Sequence, residues 1–202
     1  MTSPEPTGTK LELVQAALEA LRRSGFHGAS AREIARVGGF NQALIFYRFG
    51  SVRKLLLAGL DLVSERRLAT YGQAFSSART VPELAALARE IYAADLEQGY
   101  VTVLGELVAG GVSDRDLGRE VFARIEPWIG LVEHKLDELL AGSALESLAP
   151  SRDIACAIVA LYLGIDMLGH LQEDAAAAES LLGVAAGNAA LAQALITPKG
   201  SG

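Results

Sequence analysis

The sequence is short of the residues that cross-links and much side-chain chemistry require. Its 202 residues include one cysteine, one tryptophan, two methionines and three histidines. The lone Cys156 excludes a disulfide within one chain, which fits a reducing compartment. Because it lies in an apolar segment, its thiol is more typical of an inert core residue than of a nucleophile. We therefore expect a cytoplasmic protein without cysteine chemistry.

Long apolar runs are also missing. The longest, residues 154–165, covers 12 positions between two aspartates, whereas a helix that crosses a bilayer needs about 20 residues. The first ten residues contain no apolar stretch, so we expect no signal peptide. We expect no membrane partner.

Patterns typical of enzymes are missing as well. The sequence has no glycine-rich phosphate loop and no specific arrangement of Ser, His and Asp. His134 precedes Asp137 and Glu138 by three and four residues. His170 follows Asp166 by four. Such pairs can share a metal ion on one helical face, but in acidic helices they are more often surface ion pairs or polar contacts. We expect no catalytic residue, no metal and no cofactor.

The charge that the sequence does contain is unevenly distributed. Residues 1–57 carry eight Lys or Arg and four Glu, a balance of +4. The remaining residues carry 10 Lys or Arg against 20 Asp or Glu, a balance of −10. A basic N-terminal part on an acidic body indicates a polyanion partner for the N-terminal part alone. Chance clustering of charge is the alternative.

Apolar residues recur at helical spacing along the chain, and the alternation typical of strands is rare. We therefore expect an all-α fold. Residues 1–8 hold two prolines and one glycine and are expected to form a disordered tail. Pro127 should kink or divide its helix. The expected helices cover about residues 11–24, 31–38, 42–49, 52–77, 82–98, 100–110, 114–141, 152–173 and 175–195.

The stretch after the first helix has the cap and turn residues of short helices. Ser30 and Glu33 have the spacing of a capping box, in which each side chain accepts a hydrogen bond from a backbone amide of the first turn. Gly38-Gly39 ends this helix, and Asn41 and Ser51 are good N-caps for the next two. Two short helices joined by a tight turn indicate a helix-turn-helix. A generic helical hairpin is the alternative.

Residues 9–60 resemble the DNA-binding domain of the TetR-type (tetracycline-repressor-like) bacterial transcriptional regulators. The resemblance covers about a quarter of the chain; the rest matches in length and helical character. It implies a DNA-binding domain at 9–57, with the helix-turn-helix at about 30–49, and a helical effector-binding and dimerisation domain at 58–202. The matching features are Gly25-Phe26, Ser30, Ile34-Ala35, Gly39, Phe49-Gly50-Ser51 and Leu55-Leu56.

The resemblance also implies which residues meet the DNA. Carried over position by position, they are Lys10, Ser30, Arg32, Gln42, Ala43, Leu44, Phe46, Tyr47, Arg48, Arg53 and Lys54. Two positions depart from the family. Phe46 replaces a common tyrosine whose hydroxyl meets phosphate, and Val52 replaces a common phosphate-binding lysine. These departures favour an alternative, a helical ligand-binding or interaction protein that no longer binds DNA.

The third helix has four large apolar residues in a row at positions 44–47. With about 3.6 residues per turn they cannot all face one core. Ile45 and Phe49, four residues apart, are expected to face inward. Leu44 then points outward and can meet a thymine methyl group. The alternative is that Leu44 and Phe46 pack on the first or the fourth helix.

Several aromatic and other side chains of the body are candidates for a ligand cavity. They are Tyr92, Tyr100, Phe122, Trp128, Tyr162 and Met167, with His134 or His170 for a polar contact. Plain core packing is the alternative for each. We expect an apolar small-molecule effector that weakens DNA binding.

The last two expected helices are rich in small residues, which permit close helix crossings. Two such helices from each subunit would form a four-helix homodimer interface over residues 152–195. Packing within one subunit is the alternative. Taken together, the sequence predicts a transcriptional regulator, most often a repressor in this family. We expect a homodimer that reads a palindromic operator in double-stranded DNA.

Overall fold

The computed structural model describes residues 9–143, 146, 150–172 and nine positions between 183 and 196, without the side chains of residues 166 and 169–172. The expected tail at 1–8 lies outside the described residues. No strand occurs in the described part of the chain, so the expected all-α fold is confirmed. Eight helices are named: α1 Thr9–Gly28, α2 Ala31–Gly38, α3 Ala43–Phe49, α4 Val52–Ser77, α5 Val81–Glu97, α6 Tyr100–Ser113, α7 Arg115–Leu140 and α8 Ser151–Gln172.

The helices divide into two compact units. The first unit combines residues 1–66 with 102–124, and the second combines residues 67–101 with 125–202. Because the cuts fall inside α4, α6 and α7, each of these helices contributes residues to both units. The expected ninth helix lies largely outside the description, although its described positions are helical.

The first unit is built on the inner face of α1. Leu13, Val14 and Leu21 are fully buried there, as are Ile34 of α2 and Ile45 of α3. Each such side chain stabilises the fold by about 1.5–3 kcal/mol relative to its exposed state. The apolar positions that recur at helical spacing in the sequence therefore do form the core that holds the three short helices.

Short-range caps set where α2 begins and ends. The Ser30 hydroxyl accepts a hydrogen bond from the Glu33 amide at 3.3 Å. The expectation that the Glu33 side chain accepts from a backbone amide is wrong, because its carboxylate instead accepts two hydrogen bonds from Arg36, at 2.6 and 2.8 Å. These bonds lower the pKa of Glu33. At the other end Gly39 takes a left-handed conformation, φ 69° and ψ 27°, which suits glycine.

Caps also define α3 and α4. The Asn41 side chain accepts a hydrogen bond from the Ala43 amide at 2.9 Å, so it caps α3 although Gln42 is the formal N-cap. Ser51 accepts from the Lys54 amide at 3.2 Å, as expected. Gly50, with φ 77°, ends α3. Both N-caps expected from the sequence are therefore formed.

Pro127 does not divide its helix, contrary to one of the two outcomes expected. α7 runs without a break from Arg115 to Leu140. Proline in a helix interior removes a backbone hydrogen bond and costs about 3 kcal/mol or more. Buried side chains on both sides of it, including Val121, Ile125 and Ile129, hold the helix together against that cost.

The second unit has a small aromatic core and a buried lysine. Tyr92, Val101 and Ile165 are buried together. Lys135 of α7 is almost completely buried. Its ammonium donates hydrogen bonds to the carbonyl oxygens of Ser76 and Ala78, both at 3.3 Å. Carbonyls at a helix C-terminus lack partners within the helix, so Lys135 satisfies the end of α4.

Replacing Lys135 with Met should destabilise the second unit, because the methylene stem remains while the two carbonyls lose their donor. The expected loss is about 1–3 kcal/mol of unfolding free energy. The measurement is denaturant unfolding followed by the fluorescence of Trp128, which lies in the same unit. Arg119→Met is the control, since Arg119 makes an exposed pair with Asp116 and such pairs contribute little. Equal losses in the two variants would contradict a capping role for Lys135.

Candidate functional site

The outer surface of α3 is the first candidate site. Ile45 is the residue of α3 that the core buries fully, and Leu44 and Phe49 are half-buried. In contrast, 51% of Phe46 and 80% of Tyr47 are exposed. The expectation that Ile45 faces inward is therefore confirmed, whereas Phe49 and Leu44 are each only partly buried.

Most side chains expected to meet DNA are exposed in the structure. Lys10, Ser30, Arg32, Gln42, Ala43, Arg48 and Lys54 are exposed together with Phe46 and Tyr47. The guanidinium of Arg48 lies 5.5 Å from the centroid of the Tyr47 ring, an attractive cation–π distance. The surface thus combines aromatic faces, a cation and hydrogen-bonding groups, which suits phosphate and base edges.

Arg53 is placed differently from its neighbour Lys54. It forms an ion pair with Asp114 at the start of α7. A hydrogen bond from the Leu117 amide, with the positive charge of Arg53, lowers the pKa of Asp114. Lys54 is exposed. Of the two cations expected to replace the family lysine at Val52, Lys54 therefore has the more accessible charge.

A tight junction joins α1 to α2 within the first unit. α1 is kinked at Gly25, whose φ of 68° and ψ of 177° lie in a region that essentially only glycine adopts. The Phe26 amide donates a hydrogen bond to the Glu106 carboxylate of α6 at 2.7 Å. A Cβ atom added to Gly110 of α6 would lie 2.6 Å from the Phe26 ring. One carboxylate and one close approach therefore hold the start of the helix-turn-helix against α6.

The second unit contains a buried polar cluster, which we define as Arg67, Asp95 and Tyr162. Arg67 is 9% exposed and Asp95 is 0% exposed, and the two form an ion pair. The Tyr162 hydroxyl donates to Asp95 at 2.6 Å and accepts from Arg67 at 3.2 Å. Burial lowers the pKa of Arg67, and nearby tyrosines partly offset that effect. Arginine nevertheless keeps its charge at neutral pH.

Aromatic rings surround this polar cluster. The guanidinium of Arg67 lies 4.7 Å from the centroid of the Trp128 ring. The rings of Tyr92 and Tyr162 pack edge to face with their centroids 5.4 Å apart. Two polar atoms of the cluster, Nε of Arg67 and Oδ1 of Asp95, are buried without a hydrogen-bond partner. Each such atom costs about 1–3 kcal/mol if nothing satisfies it, so a partner group is expected at this place.

Comparison with known proteins identifies the N-terminal part. Residues 13–58 match the family model for bacterial regulatory proteins of the tetR family. The N-terminal domain of the chain is therefore of the TetR type. The matched residues include the helix-turn-helix formed by α2 and α3. Among curated sequences no protein matches this chain significantly.

Solved structures have a similar fold over most of the length of the chain. The fatty acid degradation regulator FadR from Bacillus halodurans has a TM-score of 0.76 at 15% identity and covers 91% of this chain and 96% of its own. FadR from Bacillus subtilis, solved in complex with stearoyl-CoA, has a TM-score of 0.73 at 13% identity, with 88% and 96% covered. A TetR transcriptional regulator from Legionella pneumophila scores 0.70 at 20% identity, with 90% and 97% covered. At these identities the likeness establishes the fold alone.

The structure brings together some of the residues expected around an effector. Tyr92, Trp128 and Tyr162 lie at the polar cluster, and Tyr100 is close enough to raise the pKa of Arg67. Phe122, Met167 and His134 are exposed instead, and His134 lies 3.4 Å from Glu138. The side chain of His170 lies outside the described residues.

The sequence did not predict a role for Arg67, Asp95 or Glu106. Nothing in the local pattern marks them, because charged residues in helices are mostly exposed. Across the described ranges, no group of three His, Cys, Asp or Glu side chains is placed to hold a metal ion. None of the described helices is long and apolar enough to cross a membrane.

The junction at Gly25 gives a test of how the first unit is held together. Gly25→Ala should cost roughly 2–3 kcal/mol, because its backbone is nearly forbidden to alanine and the new Cβ would lie 3.0 Å from the Glu106 carboxylate. Gly39→Ala, also at positive φ but with no atom within 4 Å of the added Cβ, should cost about 1–2 kcal/mol. Thermal unfolding of both variants followed by circular dichroism provides the comparison. A smaller loss for Gly25→Ala than for Gly39→Ala would contradict this view of the junction.

Proposed function

We propose that this protein is a homodimeric repressor that binds a palindromic operator and is released from it by a small effector. In this proposal residues 9–57 contact the DNA and residues 58–202 bind the effector and form the dimer. The exposed surface of α3 carries the proposal, because a soluble head gains nothing by presenting Phe46 and Tyr47 to water. In a major groove the same side chains become contacts.

The contacts divide by their chemistry. Arg48 and Tyr47 are exposed at the C-terminal end of α3 and suit phosphate or base edges. Gln42, exposed at its start, suits the paired hydrogen-bonding groups of adenine. Ser30 and Arg32 on α2, with Lys10 and Lys54, supply further phosphate contacts. Phosphate contacts set the register on the duplex, and base contacts give specificity.

Operator binding should fall steeply with salt, because each neutralised phosphate releases counterions. The test selects duplexes from a random pool and then measures the affinity for the selected duplex over a range of salt concentrations. Arg48→Ala should weaken binding. If Arg48 contacts a phosphate, its loss should reduce the slope of log affinity against log salt concentration by about 1. If Arg48 contacts a guanine, its loss should cost about 1–3 kcal/mol of binding free energy at one base pair.

The control for Arg48 is Arg23→Ala. It removes the same charge from the head, but Arg23 lies on α1 and pairs with Glu19. Equal losses in both variants would mean that only the overall charge matters. If no duplex is selected, or if the complex is insensitive to salt, the proposed operator contacts are wrong.

An apolar stripe on α8 supports the homodimer. Ile158, Leu161 and Leu168 are exposed there, and their spacing of three and seven residues places them on one helical face. A Cβ atom added to Gly164, Gly183 or Gly187 would meet no atom within 4 Å. Gly164, three residues after Leu161, therefore leaves space beside this stripe on α8, as a second copy of the chain would require.

Leu161→Glu should split the dimer, because a twofold interface would bury two like charges close together. The first measurement is the mass in solution by sedimentation. The second is the operator affinity, since a monomer carries only one helix-turn-helix. The control is Leu96→Glu on α5, another partly exposed leucine. If Leu161→Glu keeps both the dimer mass and the operator affinity, α8 is not the interface.

The effector part of the proposal is supported by the aromatic surroundings of the polar cluster. The similar FadR of Bacillus subtilis was solved with stearoyl-CoA, so this fold accommodates a ligand with a long apolar chain. Ligand and operator must change each other's binding affinity by the same factor, which typically corresponds to a coupling free energy of about 1–3 kcal/mol. An apolar compound bound in the body of this regulator therefore lowers the affinity for the operator only if the operator lowers the affinity for the compound by the same factor.

A further inference from the structure

The polar cluster of the second unit has two atoms that the fold leaves unsatisfied. Nε of Arg67 is a hydrogen-bond donor and Oδ1 of Asp95 is an acceptor, and both are buried without a partner. Each belongs to the same planar group as the atom that makes the ion pair, Nη2 of Arg67 and Oδ2 of Asp95. One buried ion pair therefore contains both an unpartnered donor and an unpartnered acceptor.

Nη2 of Arg67, Oδ2 of Asp95 and the Tyr162 hydroxyl are already bonded to one another. Nη2 of Arg67 donates to Oδ2 of Asp95 and to the Tyr162 hydroxyl. That hydroxyl donates to the same Oδ2. The Trp128 ring packs on the guanidinium of Arg67, with its centroid 4.7 Å away. A group that satisfies Nε and Oδ1 must therefore both accept and donate a hydrogen bond.

The charge of the cluster selects among such groups. Arg67 and Asp95 carry opposite charges in direct contact, so their net charge is zero. A carboxylate or phosphate placed beside Nε would lie next to Asp95, and an ammonium beside Oδ1 would lie next to Arg67. Burying an additional charge without its own partner is costly. A neutral hydroxyl or primary amide satisfies both atoms without adding charge.

We propose that Arg67 and Asp95 form the polar end of the effector site and take an uncharged hydroxyl or primary amide group carried on an apolar body. The inference rests on the proposed function and narrows its ligand class. The apolar body lies against the aromatic side chains of the same unit, Trp128, Tyr92 and Tyr162. The effector is thus an alcohol, phenol or amide, and a fatty acid anion is discriminated against at this position.

Trp128 makes the site directly observable. It is the single tryptophan of the chain, and its ring packs on the guanidinium of Arg67. The experiment titrates the full-length protein with 1-decanol, decanamide, decanoate and decylammonium below their micelle concentrations, and with 2-phenylethanol, phenylacetamide, phenylacetate and phenethylammonium. Within each set only the polar head differs.

We expect the alcohol and the amide of at least one set to change the emission of Trp128 with saturation. They should bind on the order of tenfold more tightly than the two charged members, the ratio expected for one well-made buried hydrogen bond. A preference for the carboxylate, equal affinity for all four heads, or no response to any probe overturns the inference. The last result includes the case in which a water molecule or the ion pair itself satisfies both atoms.

Asp95→Asn sharpens the test. It keeps the shape of the side chain but leaves the charge of Arg67 uncompensated, so the preference should reverse toward the carboxylate. If Asp95 had a merely structural role, Asp95→Asn would weaken the binding of all four head groups alike and would not reverse the order of their affinities. The matched control is Glu133→Gln, which removes a carboxylate from an exposed ion pair with Arg152 in the same unit. This control should keep the preference for neutral heads.

A second variant protects the test if Asp95→Asn fails to fold. Tyr162→Phe removes the hydroxyl of the cluster but neither of its charges, so the neutral heads should still be preferred. A preference for charged heads in this variant would count against selection by the ion pair. Circular dichroism establishes which variants are folded.

The design separates failure of this inference from failure of the proposed function. Trp128 emission needs no operator, whereas repression is tested by operator release. If a charged compound releases the operator without favouring the Trp128 site, the inference is wrong and the effector-controlled repressor stands. If neutral heads bind as expected but never weaken a selected operator complex, the site is a ligand site and the proposed repressor mechanism is wrong.

Discussion

The candidate DNA surface depends on the shortness of one helix. α3 has seven residues, and a helix that short is not stable alone in water. It is held by Asn41 at its start, by Gly50 at its end and by the full burial of Ile45. With one side chain anchored, the geometry of the turn places Phe46 and Tyr47 outside. The same constraint that makes α3 dependent on its unit therefore creates an exposed aromatic surface.

The features that could be predicted from the sequence are local ones. Ser30, Gly39 and Ser51 act on atoms within four residues of themselves, so a short window of sequence contains the whole interaction. Burial of Ile45 follows from helical period alone. Glu33 marks the limit of this approach, because a capping box and an i,i+3 pair with Arg36 compete for one carboxylate. The stronger, charge-assisted pair forms.

The features that could not be predicted join residues far apart in the chain. Phe26 meets Glu106 across 80 positions, Arg67 meets Asp95 across 28, and Arg67 meets Tyr162 across 95. A lone charged residue in a helix is most often on the surface, and no periodicity shows which one a distant helix will cover. The aromatic candidates show the same limit, since Tyr92 is buried while Phe122 is exposed.

The two candidate sites are connected through one continuous element. α4 begins at Val52, two residues after the Gly50 that ends α3, and carries Arg67 further along. Connection alone is not control, because a ligand that binds two conformations equally shifts neither. Changing a state from about 1% to about 99% of the population requires roughly 10⁴-fold tighter binding to one conformation. The proposed hydrogen bonds to Arg67 and Asp95 would supply only a part of such a difference, since each contributes about 0.5–1.5 kcal/mol. The rest of the difference must come from contacts of the ligand with other side chains that differ between the two conformations.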